Sequence, residues 1–185
     1  MSVIESTSTQ IAPAGTWVAD PAHSSVAFEV VHSGISTFRG GFADYDANLV
    51  GGEEPALSGS ARVASVTVSD ENLTGHLQSP DFFDAQRFPE IAFEADELTR
   101  SENGDVEARG SITIKGVTQP VELTGRVTGP VADAYGSERL GLRLETTIDR
   151  TQFGITWNAP LPGGGNVLAD EVKLTADLSL VKKAA

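Results

Sequence analysis

From Glu171 to Val181 the chain alternates without a slip: Val172, Leu174, Ala176, Leu178 and Leu180 fall on one side, Lys173, Thr175, Asp177 and Ser179 on the other. An apolar residue at every second position marks a strand with one face buried and one in water. The same beat recurs in Leu140, Leu142, Leu144 and Ile148 against Arg139, Arg143 and Glu145. It returns in Val121, Leu123 and Val127 against Glu122, Thr124 and Arg126, and in Val26, Phe28 and Val30 against Ser25, Ala27 and Glu29. Around Gly40 and Gly41 the apolar parity changes, from Phe38 and Phe42 to Tyr45, Ala47 and Leu49, and it changes again near Ala64 and Ser65. Such slips predict β-bulges that bend a sheet toward closure.

The pattern predicts about eight strands: residues 16–18 with 24–32, then 37–50, 57–68, 90–99, 105–115, 117–129, 138–149 and 171–181. Strands of this length and regularity fit an all-β fold, an eight-stranded antiparallel barrel. Lys115-Gly116 suits a two-residue hairpin turn. A short helical insertion is expected around residues 70–84: Asp70 to Gln78 can form two turns, and Ser79 can cap a second short helix with Pro80 in its first position. Residues 160–165, Pro-Leu-Pro-Gly-Gly-Gly, read as a loop at the barrel rim. The domain organisation expected is a flexible tail over 1–14 and one barrel domain over 15–185.

A chain of 185 residues can bury a sizeable core, and its nineteen glycines suit frequent tight turns. The net charge of −13 opposes phosphate backbones and anionic lipid surfaces, so nucleic acid is excluded as a partner. The absence of cysteine excludes disulfides and thiolate metal sites. No basic start followed by an apolar run opens the sequence, and no apolar segment approaches the roughly 20 residues of a membrane span. The expectation is a soluble, cytoplasmic protein that does not span a membrane.

Four of the eight phenylalanines, Phe82, Phe83, Phe88 and Phe93, crowd into the stretch from His76 to Phe93. Any one of them could be ordinary core. Taken with an eight-stranded barrel whose inward positions are mostly small or aliphatic, they point to a cavity closed by aromatics at one end. His32 shares strand parity with Phe28 and Val30, on that inner face. His23 and His32 are an odd number of residues apart and would point to opposite faces of one strand, so no metal site is predicted. No Gly-x-Ser-x-Gly elbow occurs, the glycine run at 163–165 follows no strand, and no catalytic residue is assigned.

At these residues the chain resembles the YceI-like family of lipid-binding proteins, which have an extended, lipocalin-like antiparallel barrel. The matching stretches are Trp17-x-x-Asp20-Pro-x-His23-Ser24 with Phe28 and His32; Arg39-Gly-x-Phe42; His76-Leu-x-Ser79-Pro-Asp-Phe82-Phe83-Asp84 with Phe88-Pro89 and Phe93; Gly110-x-Ile-Thr-Ile-Lys-Gly116-Val-Thr-x-Pro-Val121; and Asp149-Arg150-x-x-Phe153-Gly154 with Asp170-Glu-Val172. The resemblance implies a tunnel for a polyisoprenoid or isoprenoid quinone, and a role in its transport, storage or sequestration rather than catalysis. Many members of the family are exported.

The ligand-binding set expected is Phe28, Val30, His32, Arg39, Phe42, His76, Phe82, Phe83, Arg87, Phe88, Phe93, Leu142, Leu144, Phe153, Leu174 and Leu178. No cofactor is expected beyond the bound lipid, and a second copy of the chain is a candidate partner. Two other classes stay open: an enzyme of isoprenoid or quinone metabolism with His32 or His76 as general base, and a ligand-free, stress-related barrel with protein partners. Because most strand cations fall on outward positions, the lipid is expected to carry a neutral head group. Arg39, Arg87 and Arg150 are the cations that could serve a charged one.

Overall fold

The computed structural model describes residues 9–184. The strands are β1 (Gly15–Ala19), β2 (Ser25–His32), β3 (Ser36–Phe42), β4 (Tyr45–Gly51), β5 (Ala56–Arg62), β6 (Val66–Thr67), β7 (Glu90–Arg100), β8 (Asp105–Ile114), β9 (Val117–Ala132), β10 (Glu138–Asp149) and β11 (Leu168–Lys182), and one helix, α1 (Glu71–Gln78), lies between β6 and β7. All neighbours are antiparallel, and the ring closes in the order β1-β4-β5-β7-β8-β9-β10-β11 and back to β1. β1 pairs with the end of β11 and β2 with the rest of it, so the two are successive halves of one bent strand. β3 with β4, and β5 with β6, are bent in the same way. The eight expected strands are therefore present, three of them broken at a corner, with β2, β3 and β6 extending the wall beyond the ring.

Each corner has a local cause. Between β1 and β2, Asp20 caps a 3₁₀ turn at Pro21–His23, accepting from the Ala22 amide at 3.0 Å and pairing with His23 Nδ1 at 2.8 Å. Arg139 on β10 donates to Asp20 at 2.9 Å and to Asp133 at 2.8 Å, tying this corner to the β9–β10 hairpin. The His23 contact, followed by those from Arg139 and Ala22, lowers the Asp20 carboxyl to about 2. Between β3 and β4, Phe42 and Tyr45 both face inward across the exposed pair Ala43 and Asp44, so the parity switch falls there and not at Gly40-Gly41. Gly40 has another role: it lies opposite Phe28, and a Cβ there would come within 2.4 Å of the ring. The third corner is the 3₁₀ turn Val63–Ser65, where the pattern predicts it.

Lys115 and Gly116 both have positive φ, 51° and 76°, and join paired residues Ile114 and Val117, as a tight hairpin turn of the favoured hand requires. In α1 the Asp70 carboxylate accepts from the amides of Asn72 and Leu73, satisfying two N-terminal donors. The second short helix does not form. Ser79 O instead accepts from both the Phe82 and Asp84 amides, and Asp84 takes φ of 54°, which turns the chain back toward β7.

One end of the barrel is solid. Trp17, Leu49, Leu140, Leu142, Leu180, Val106 and Ile11 are fully buried together. The segment 9–14 seals this end: Ile11 and Ala12 are core, Trp17 Nε1 donates to Pro13 O at 3.0 Å, and Gly52 N donates to Ala12 O at 3.0 Å. The fold thus begins before residue 15, against the expected tail over 1–14, of which residues 1–8 lie outside the described residues.

Candidate ligand cavity

The other end encloses a cavity of about 600 Å³, within the roughly 300–1,000 Å³ of small-molecule sites. Its walls follow from strand alternation: Phe28 and Val30 of β2, Ile91 and Phe93 of β7, Ile112 and Ile114 of β8, Val121 and Leu123 of β9, Leu144 and Ile148 of β10, and Val172, Leu174, Ala176 and Leu178 of β11 all point in. Two aromatic groups close it. Phe28, Phe42 and Phe83 meet with centroids 5.8–6.3 Å apart in tilted and edge-to-face geometries. His76, Phe82 and Trp157 form the second group, the imidazole standing edge-on to both rings at 4.8 Å. The residues 79–88 carry Phe82 and Phe83 inward because the Ser79 turn reverses the chain there.

Ser36, Thr37, Asp46, Ser58, Ser60, Thr146 and Thr175 also border the cavity, together with two histidines and one arginine. His76 Nε2 lies 3.0 Å from Asp81 Oδ2, so the helix histidine has a carboxylate partner that spacing alone did not guarantee. His32 sits at the exposed end of β2, its Nδ1 3.3 Å from Ser33 Oγ. Arg150 is buried and lines the cavity, but Nε donates to Ala169 O at 2.9 Å and Nη1 to Ile155 O at 2.8 Å and Trp157 O at 2.9 Å. Its Nη2 has no hydrogen-bond partner, the nearest carboxylate being Asp170 at 3.7 Å. The planar guanidinium therefore staples the 154–169 segment to the barrel. Asp149, just before it, caps its own 3₁₀ turn, and hydrogen bonds from the Thr151 hydroxyl and amide hold its carboxyl low. Among the described residues, no three His, Asp or Glu side chains converge as metal ligands would.

Of the residues expected to contact a ligand, Phe28, Val30, His32, Phe42, His76, Phe82, Phe83, Phe93, Leu144, Phe153, Leu174 and Leu178 line the cavity. Four do not. Leu142 faces inward but belongs to the solid end. Arg39 points out of the barrel and donates to Glu29 at 2.9 Å. Arg87 is exposed, 3.5 Å from Asp84 and stacked over Phe88. Phe88 packs outside, against the Gly116 turn, where a Cβ would come within 2.5 Å of its ring. Many wall residues were not in the expected set, among them Ile91, Ile112, Val121 and Val172 on strands and Trp157, Leu73, Leu77 and Ile155 off them. Off the strands the available signal was weak: a tryptophan amid uncharged loop residues shows no alternation to place it on a face.

A family model described as the YceI-like domain matches residues 17–180. A UPF0312 protein of Staphylococcus aureus strain N315 is 34% identical over 165 residues, 85% of this chain and 92% of that protein. Among solved structures, Burkholderia cenocepacia BcnA superposes with a TM-score of 0.71 at 20% identity, covering 89% of this chain and 99% of that one. A polyisoprenoid binding domain from Saccharophagus degradans superposes with a TM-score of 0.70 at 11% identity, covering 92% and 99%. At such identities the two structures show the common barrel. The family match and the staphylococcal relative go further: the chain belongs to the YceI-like family.

Proposed function

We propose that this protein takes up one long apolar lipid of isoprenoid type, a polyprenyl chain or isoprenoid quinone, in its barrel and carries, stores or sequesters it unchanged. The cavity wall is the observation that supports this most. Branched aliphatic and aromatic side chains from eight strands and α1 make up most of the wall, so hydrocarbon gains most by entering. The similarity to a protein described as a polyisoprenoid binding domain favours the same class of molecule. The neutral head group is favoured as well. Arg39 and Arg87 lie outside the cavity, and Arg150 gives two of its nitrogens to three carbonyls, leaving Nη2 as the single unpaired cationic donor at the cavity among the described residues, fewer than the two or more cations a diphosphate needs.

Organic extraction of the purified protein followed by mass spectrometry should recover a long-chain isoprenoid. Leu174→Arg is the matched variant. Leu174 faces the void beside Phe28, so a guanidinium there leaves packing intact while placing a poorly hydrated charge on the lipid's path. Folded Leu174→Arg protein that still retains its lipid would sink the reading. For the head group, polyprenyl alcohol should bind as well as the matched diphosphate, with little salt dependence.

The His76–Asp81 pair favours a second reading, since a histidine oriented by a carboxylate is the core of a general base. Incubating the protein with polyprenyl diphosphate and a quinone decides between them. A converted product that His76→Ala fails to make establishes catalysis, and recovery of both lipids intact supports the carrier.

A further inference from the structure

We propose that the cavity end docks on a lipid bilayer of neutral head groups, through the β2–β3 hairpin tip and the 154–167 loop. This use of the surface rests on the carrier reading; the surface itself does not. Residues 30–38 and 151–169 contain no Asp, Glu, Lys or Arg, in a chain of net charge −13. The fold brings these two stretches together. Ser33 N donates to Val167 O at 2.7 Å, and His32 pairs with Leu168. His32 is the one ionisable side chain in either stretch.

The sector is uncharged where it faces outward, with polar Ser36, Thr37, Thr156 and Asn166 exposed, and apolar at the hairpin tip. Ile35, at the hairpin tip, is 88% exposed, and Val31 beside it 44%. It is also continuous with the cavity, since Phe38 of one stretch and Trp157 of the other line the wall. The rest of this end is charged, with the acidic groups in excess. Asp70, Glu71 and Asp81, around α1, are exposed, against the cation of Lys115, which donates to Pro80 O and Gly154 O at 2.6 and 3.4 Å. An isoleucine held in water at the tip of a tight hairpin costs free energy that an interfacial phase would remove. The acidic sector and the overall negative charge oppose an anionic surface. A neutral bilayer meets both conditions, and it is the phase in which an isoprenoid lipid dissolves. Cargo could pass between bilayer and barrel without crossing water.

The test is flotation of the full-length protein with phosphatidylcholine vesicles through a density gradient. Wild type should float, and admixed phosphatidylglycerol should reduce the bound fraction. Ile35→Asp should lower the bound-to-free ratio about tenfold or more, the order expected for one isoleucine lost from an apolar phase. Its side chain is nearly free of contacts, so the fold survives. Tyr135→Asp, 93% exposed on the β9–β10 hairpin at the solid end, should float as wild type does. Leu174→Arg should also float, cargo or none, which separates failure of the carrier reading from failure of the docking surface. Wild type that stays with the unbound fraction, Ile35→Asp that floats undiminished, or Tyr135→Asp that is lost equally would overturn the proposal. So would a dimer in sedimentation that Ile35→Asp dissolves, because a second copy would then be the occupant.

Discussion

Leu142 and Leu144 stand two positions apart on β10, both turned inward and both about 1% exposed, yet they lie on opposite sides of a boundary. Leu144 borders the cavity, whereas Leu142, paired across the strands with Leu178 and Val127, does not line it and belongs to the packed core. Truncation should reveal the difference. Leu142→Ala should cost about 2–5 kcal/mol, the range for a leucine removed from close packing, whereas Leu174→Ala, which already faces a void, should cost less than about 2 kcal/mol. Urea unfolding of delipidated protein measures both, and equal losses would mean the cavity half is packed as tightly as the other. Asp20 sets a different dependence. Its folded-state carboxyl lies at about 2 against an ordinary 3.8, so the ion form is favoured by folding; its stabilisation is complete above about pH 4 and is lost as pH falls from there through about 2. Asp133 and Asp149 are lowered likewise, Asp133 chiefly by Arg139 and Asp149 by Thr151, and share this acid limb. Asp20→Asn should therefore weaken the protein at neutral pH and partly flatten its stability between about pH 4 and 2. An unfolding midpoint that tracks wild type across that window would remove Asp20 from the account.

At the level of elements, alternation alone carries the strand count and the inward assignments of β9, β10 and β11, because one face of each is turned to the interior, buried or half-buried, over most of its length. Corners are harder to read. The switch from Phe42 to Tyr45 is visible in sequence, but the adjacent Gly40-Gly41 draws attention to the wrong place: Gly40 serves the Phe28 ring, a cross-strand contact that no local pattern reports. The register shift near Asp96 in β7 moves the inward positions from Ala95 to Leu98 and passes unnoticed in so short a run. The failed helix at Ser79 has a similar cause. A serine followed by proline caps a helix only if the next residues have nothing better to do, and here Phe82 and Phe83 are drawn into the cavity. Cations were legible only by parity, which cannot show that Arg39 pairs with Glu29 across strands or that Arg150 turns back onto three carbonyls. The Lys115-Gly116 turn offers an element-scale test. Gly116→Val would place a branched side chain at φ of 76° and against Phe88, so it should destabilise the barrel by roughly 2 kcal/mol or more while leaving the cavity wall intact. Thermal unfolding of the variant checks the first part, and an unchanged lipid content after solvent extraction the second.

The whole molecule is a barrel with two unlike halves, and its two tryptophans report them separately. Trp17 is fully buried in the solid end, its indole N–H bound to Pro13 O and its ring 5.7 Å from Lys182 Nζ. Trp157 stands on the cavity wall against His76 and Phe82. The asymmetry gives the barrel a direction: segment 9–14 and the packed leucines bar one end, so on the carrier reading the lipid enters at the other, beside α1 and the 154–167 loop, which line the cavity. Asp70, capping α1, helps hold that entrance, and Asp70→Ala should remove about 1 kcal/mol from the helix and speed lipid exchange. A quinone added to delipidated protein should then quench Trp157 by contact and leave Trp17 unaffected. Titrating the emission of Trp17→Phe should give the full wild-type response, and Trp157→Phe should give almost none. The reverse pattern would place the ligand against Trp17, which requires the packed end to open, and a barrel with a single entrance would no longer describe the molecule.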